Sequence, residues 1–373
     1  MKIGFFCNEY PPRPHGGIGT FVHMLALQLA RAGHSVAVAQ WGESEREESQ
    51  DGVRIVTIRQ SGLRHIAWLV NRLRLWRWLR REARDGRIEV FEIPEYQGCL
   101  PFPLAACPVV VRLHLAESHI RAVMGGRRGR IYWLEKATLF WHRHWIGVSR
   151  YILEETQRFF ALRPRQSAVI HNPAPTVRVD ALASPPSRPA RYVLYVGSVS
   201  ERKGALLLAE AMRQVLARGH DVHLVYVGPE TVFRGKLISH AIRDLLGEHA
   251  SRVIFTGRVS HREALAWMRD AVAVVLVSRI ESFGLVLSEA MSLGVPVVGG
   301  DCGPGAELIE HGVTGLLVSL DAPADLARAI CHLLQNPSWA RKLGEAGQQK
   351  VEAVLHLSTC VDRTLAFYRD IVV

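Results

Sequence analysis

Residues 271–278 read AVAVVLVS and residues 295–300 read VPVVGG, two short runs with almost nothing polar in them. A strand with one wet face alternates in polarity. A continuous apolar run bounded by turn residues is a strand buried on both faces, the form strands take in a parallel sheet covered by helices. Between the runs, residues 283–293 have helical spacing, with Leu287, Ala290, Met291 and Leu293 on the apolar side. A strand–loop–helix–strand unit of this kind commits the chain to an α/β architecture. It also places the loop at the carboxyl end of a parallel strand, the edge at which open α/β sheets take their ligands.

Glu281 stands on that loop. Glu289 follows eight residues later, about two helical turns on and on nearly the same face. Ser282-Phe283-Gly284-Leu285 presents the first free amides of the helix, and Gly284 lets the main chain approach an anion closely. A phosphate at this helix mouth has a carboxylate on each side to accept from sugar hydroxyls. Two solvated helix-end glutamates are the plain alternative for the spacing alone. The buried strands on either side favour a site.

The same alternation runs through the whole chain. Residues 2–8, 35–41, 53–59, 88–94, 109–114, 145–149 and 167–173 read as strands, with an acidic connector at 43–51. Helical spacing appears from about Phe21 to Arg31, stopped by Gly33, and again through Ile66, Leu69, Val70, Leu73, Trp76 and Leu79. Residues 172–190, NPAPTVRVDALASPPSRPA, are dense in proline and small residues and mark a boundary. From Tyr192 the alternation restarts. Two parallel-sheet α/β domains are therefore expected, at 1–173 and 174–357, with a last helix at 358–373 crossing back to the first.

Charge is uneven. Residues 1–180 hold 26 Lys and Arg against 16 Asp and Glu, nearly all of the net +11 of the chain. That excess points to an anionic surface or acceptor on the first half, and the sources are the loop 119–130, HIRAVMGGRRGR, and the Arg-rich helix with three tryptophans at 68–87. In the latter, a core helix with a solvated Arg face is the stronger reading. No apolar run reaches the roughly 18 residues of a membrane span, and the first strand lacks the form of a signal peptide. Six scattered cysteines with no C-x-x-C pair fit reduced thiols in a cytoplasmic protein. With no D-x-D pair, no H-E-x-x-H and no His/Cys/Asp cluster, neither a metal site nor a cofactor is expected. Only net charge suggests nucleic acid, and no recognition motif supports it.

Further candidates sit at other strand ends. His15-Gly16-Gly17-Ile18-Gly19 follows the first strand and opens a helix, where a phosphate-cradling turn or a plain tight turn both fit. Gly197 ends a buried strand, and Arg202 and Lys203 then stand at a helix start, where the macrodipole disfavours cations unless an anion is bound. His114 ends a strand as Glu281 does. Asn8, Glu9, Arg258 and Gly228-Pro229-Glu230 are weaker candidates of the same kind.

Taken together, ESFGLVLSEA, GSVSERKG, EYPPRPHGGIGTFV, GVSRY at 147–151, HNP at 171–173 and TGLLV at 314–318 resemble glycosyltransferase family 4, the retaining nucleotide-sugar transferases of the GT-B fold. The resemblance covers essentially the whole chain. It implies two Rossmann-like domains facing a central cleft and a hexosyltransferase using a UDP- or GDP-sugar and a glycan or lipid-linked acceptor; the missing metal-ligand patterns make it metal-independent, and the basic first half adds association with the inner membrane face. It also implies roles. Arg202 and Lys203 hold the donor pyrophosphate; Glu281 reaches the sugar hydroxyls; the amides of Phe283, Gly284 and Leu285 lie near phosphate or sugar. Glu289 takes the ribose, Gly197 and Arg258 line the donor site, Gly16 and Gly17 meet donor and acceptor, and His114 lies beside the donor sugar. Two departures stand out: DCGPGAELI at 301–309 replaces a Gly-Gly-x-Pro-Glu run, leaving Glu307 for the glutamate, and Leu115 follows His114 where many members carry Asp or Gly. A nucleotide-sugar epimerase on the same fold and an inactive binding protein are the rival readings.

Overall fold

The computed structural model describes residues 1–13, 16–174 and 188–372, so His15 and most of the proline-rich stretch lie outside the described residues. The chain divides into two compact units, Met1–Pro173 with Leu357–Val373, and Ala174–His356.

The first unit runs β1 (Lys2–Phe6), α1 (Gly17–Arg31), β2 (Ser35–Gly42), β3 (Arg46–Gln50), β4 (Val53–Arg59), α2 (Ala67–Arg84), β5 (Val90–Pro94), β6 (Val109–Leu113), α3 (Glu117–Val123), α4 (Arg130–Trp141), β7 (His144–Gly147), α5 (Arg150–Phe160) and β8 (Gln166–Val169). Its sheet has the order β3-β4-β2-β1-β5-β6-β7-β8. All neighbours are parallel except β3, which pairs antiparallel with β4. The acidic stretch read as a connector thus holds an edge strand. Neither of its faces is buried, so it carries no apolar period, and its charged side chains discourage further pairing at the edge. The chain starts at β1, moves out through β2 and β4, then crosses to β5 and continues to β8. The direction reverses between β1 and β5.

The second unit runs β9 (Tyr192–Val196), α6 (Ala205–Ala217), β10 (His223–Val227), the hairpin β11 (Val232–Phe233) and β12 (Lys236–Leu237), α7 (Ile238–Leu246), β13 (Val253–Gly257), α8 (His261–Arg269), β14 (Ala273–Leu276), α9 (Leu285–Ser292), β15 (Val297–Gly300), α10 (Gly305–Leu308), β16 (Leu316–Val318), α11 (Pro323–Gln335) and α12 (Pro337–Val354). The order β13-β10-β9-β14-β15-β16 is parallel throughout. Every residue of β9 and β14 is buried, as their sequences require, and each such side chain contributes about 1.5–3 kcal/mol. Here the reversal falls between β9 and β14, so the exits of these two strands form the crevice edge.

Helix α13 (Leu357–Val372) returns to the first unit, where Val361, Leu365 and Tyr368 enter the core around β1 and α1. It also covers a buried ion pair. Arg112, in the middle of β6, donates from Nε and Nη2 to the Glu92 carboxylate of β5 at 2.7 and 3.0 Å. Tyr368 donates its hydroxyl to the same carboxylate at 2.6 Å, and Thr364 Oγ1 accepts from Arg112 at 3.2 Å. Burial opposes the charge on Arg112, but Glu92 beside it outweighs that and holds the guanidinium above its usual range.

Candidate active site

In the second unit, Gly204 sets the geometry. Its φ is +79°, and a Cβ there would lie 2.2 Å from the Val277 carbonyl oxygen, so no side chain fits. This close approach brings the loop after β9 against the loop after β14, where the Arg279 amide donates to the Arg202 carbonyl at 3.0 Å. Lys203 Nζ then lies 3.4 Å from Glu281 Oε2, with each side chain about one-fifth exposed. Arg202 donates to the Ile280 carbonyl at 3.4 Å. Gly197, at φ +128°, lies beneath Lys203. Two cations therefore stand at the mouth of α6 and one carboxylate faces them, at the reversal point of the sheet.

Helix α9 supplies amides to the same edge. Gly284, at φ +84°, is its N-cap, and its carbonyl accepts from Leu287 and Ser288 at 2.9 and 3.2 Å. The amides of Leu285 and Val286 precede that ladder. Phe283 is buried, with its ring turned into the core. A small recess beside Gly284 is lined by Ser278, Arg279, Glu281, Cys302 and Gly305. The helix begins only at Leu285, so Glu281 and Glu289 do not share a helical face. Glu289 instead pairs with His261 Nε2 of α8 at 2.9 Å, and that hydrogen bond raises the imidazole pKa. Arg258 is exposed at the end of β13, two strands from β9, and Glu307 lies in α10 after β15.

The first unit builds a second edge. After β1, the Glu9 carboxylate accepts from the amides of Gly16 at 3.1 Å and Gly19 at 2.9 Å. The mouth of α1 thus holds a carboxylate of its own chain, with Gly16 and Gly17 exposed beside it. Asn8 is structural: its Oδ1 accepts the Trp41 amide at 3.1 Å. Glu230 in the second unit is likewise spent on the Ser239 amide at 3.0 Å. His114 is half-buried after β6, its ring 5.6 Å from that of Phe21. Loss of hydration, with the charge of Arg112, pushes its imidazole down to about 3. It is therefore a neutral hydrogen-bonding group.

Two family models match. "Glycosyltransferase Family 4" covers residues 15–178 and "Glycosyl transferases group 1" covers residues 190–336. The chain is a family 4 glycosyltransferase. The glycosyltransferase is 27% identical to a glycogen synthase of Mycobacterium tuberculosis over 99% of its own length and 94% of the relative's. It is 29% identical to a phosphatidyl-myo-inositol mannosyltransferase of Mycobacterium leprae over 94% and 92% of the two chains. The fold matches HepE from Anabaena, solved with UDP-glucose, at a TM-score of 0.74 and 19% identity, covering 99% of this chain and all of that one (100%). The fold is GT-B.

Sequence reasoning missed several residues of the glycosyltransferase that hold the site groups. His261 follows Ser260, whose hydroxyl accepts from the Glu263 amide at 3.2 Å. That Ser-x-x-Glu start was a usable signal for a helix opening at the ligand edge. Glu95 ends β5 just as His114 ends β6, and Glu135 lies on α4, a helix hidden because its exposed face is aromatic rather than polar.

Proposed function

We propose that the protein transfers a hexosyl group, with retention of configuration and without a metal, from a UDP- or GDP-sugar to a glycan or lipid-linked acceptor. The observation that carries this reading is the meeting of Arg202, Lys203 and Glu281 where the second sheet reverses direction. As the sugar–phosphate bond breaks, negative charge grows on the departing diphosphate. Lys203, Arg202 and the α9 amides would stabilise it more than they stabilise the intact donor, which is what lowers the barrier. Glu281 would accept from the sugar hydroxyls, and Glu289 from the ribose. In the first unit, His114 is assigned to the sugar end of the donor and Gly16-Gly17 to the acceptor side. For retention we assign front-face attack, the acceptor proton passing to a departing phosphate oxygen. The UDP-glucose bound to HepE supports a nucleotide-sugar donor, and the mannosyltransferase relative supports a lipid acceptor.

The reading includes peripheral attachment to an anionic membrane. Trp133, Phe140 and Trp141 lie on one face of α4 and are 63%, 48% and 49% exposed. Arg143 stacks on Phe140, and the exposed Arg127, Arg128 and Arg130 open the helix. Aromatic rings flanked by arginines suit the interface of an anionic bilayer. The α2 helix is less suited, because Leu75 and Leu79 face the core and Trp76 Nε1 donates to the Pro103 carbonyl at 2.9 Å. A screen of nucleotide sugars, reading release of UDP or GDP with and without oligosaccharide and lipid extracts, tests the reading. Turnover with one nucleotide sugar is expected; no release from any donor by folded protein would overturn it.

A further inference from the structure

His114 sits on a turn that the backbone alone does not favour. The next residue, Leu115, is buried and has φ +87°, a left-handed conformation that is costly for a branched side chain. Two carboxylates beneath the turn, both with no exposure, receive its amides. Glu95, at the end of β5, accepts the His114 N–H on Oε1 and Oε2 at 2.7 and 2.9 Å, and interacts with the Leu115 amide. Glu135, on the inner face of α4, accepts from the amides of Glu117 at 2.8 Å and Ser118 at 3.1 Å and from the Ser118 hydroxyl. It also accepts from Gln97 at 3.0 Å, which ties the loop after β5 to the same brace. A buried carboxylate is costly to keep, and a turn this short can be held by backbone or hydroxyl groups instead.

We infer that Glu95, with Glu135 beside it, is a positioning residue for His114, fixing the strained turn so that the imidazole meets the donor sugar in one orientation. The inference rests on the role assigned to His114 above. Burial raises Glu95 to about 8, against the pull of the His114 and Leu115 amides, and raises Glu135 too. Other titratable and charged groups face them from the neighbouring elements. His114 stays neutral, Cys99 stays a thiol, and Arg112 stays paired with Glu92. Tyr96 is raised, Arg72 donates to the Gly98 carbonyl, and Glu117 pairs with Arg121. The ionised form of Glu95 is the better acceptor for N–H groups. The hold on the turn should therefore tighten as pH rises through about 8.

The test uses the full-length protein, UDP-glucose and GDP-mannose as probes, and selective 15N-histidine labelling. In Glu95→Gln, kcat should fall about 10- to 100-fold well above pH 8, the scale of a sub-ångström misplacement, with donor KM unchanged. The gap should narrow below that pH, where the wild type is itself protonated, and the His114 amide proton should move upfield. In a Leu115→Gly background, where the positive φ costs nothing, Glu95→Gln should cost much less. Wild-type kcat and an unmoved His114 amide in folded Glu95→Gln would overturn the inference, as would an equal loss in the Leu115→Gly background. Should Glu95→Gln not fold, Glu135→Gln is read in the same way. Full activity in His114→Ala would instead remove the role given to His114.

Discussion

Replacing Lys203 by alanine separates chemistry from stability, because the structure gives the side chain one ion-pair partner and a modest structural share. The pair with Glu281 spans 3.4 Å and is about one-fifth exposed on each side, so its loss should cost about 1 kcal/mol or less. For a unit of this size that lowers Tm by roughly 2–4 °C. Turnover should respond far more. A fixed donor to charge that appears only as the bond breaks is worth about 2.7–4 kcal/mol, a fall in kcat of about 100- to 1,000-fold. Glu281 adds a second signature. Without Lys203 its carboxylate faces the leaving diphosphate unneutralised, so a Lys203→Ala/Glu281→Ala double variant should lose less than the two single losses combined, by about 1–2 kcal/mol. The assay is initial-rate release of UDP or GDP under saturating donor, with Tm followed in parallel. A kcat within about threefold of wild type, roughly 0.6 kcal/mol, in folded Lys203→Ala would refute the reasoning. So would a strictly additive double variant, since the two side chains would then act independently.

Activity should survive EDTA, because Arg202 and Lys203 stand at the mouth of α6 to meet the diphosphate charge themselves; loss restored by Mg²⁺ or Mn²⁺ would contradict this. His261 should titrate above the usual 6.5 by NMR and fall back in Glu289→Gln. Because its folded-state pKa is raised, its contribution to stability is complete below about pH 6.5 and is lost as pH climbs through the raised value, so the Tm difference between wild type and Glu289→Gln should shrink on the alkaline side. Serine at Trp133, Phe140 and Trp141 together should abolish co-sedimentation with phosphatidylglycerol vesicles while leaving kcat on a water-soluble acceptor intact. Binding should weaken in salt, since the Debye length falls to about 3 Å at 1 M, and equal binding to neutral vesicles would count against the interface.

The α/β class was legible because fully buried parallel strands cannot hide: the apolar runs that became β9 and β14 read the same in sequence and structure. The strand-end rule put His114, Arg202, Lys203 and Glu281 on the loops after β6, β9 and β14, where they lie, since the carboxyl edge of a parallel sheet follows from chain direction alone. It did not find which groups pair. Whether Glu281 meets Lys203 depends on Gly204 lying against Val277, a contact between residues 73 positions apart in the chain. The relation of Glu281 to Glu289 was misread because the helix starts four residues after Glu281, a boundary that Gly284 sets through its positive φ. Helix α4 escaped for a different reason. Its buried face mixes Glu135 and Thr138 with Tyr132, Leu134 and Leu139, and its exposed face carries Trp133, Phe140 and Trp141, which blurs the polarity contrast that amphipathic periodicity looks for.

The return of α13 to the first unit has a consequence for the order in which the protein is made. Domains usually complete themselves from the N-terminus as the chain is synthesised. Here the Arg112–Glu92 pair stays uncovered until Thr364 and Tyr368 arrive, after everything in Ala174–His356 has been translated. The second unit should therefore be the first to close on the ribosome. On released chains ending at residue 356, protease resistance should appear in the second unit while β5 and β6 remain cleavable. Resistance in both at that length would show that the first sheet closes without its last helix.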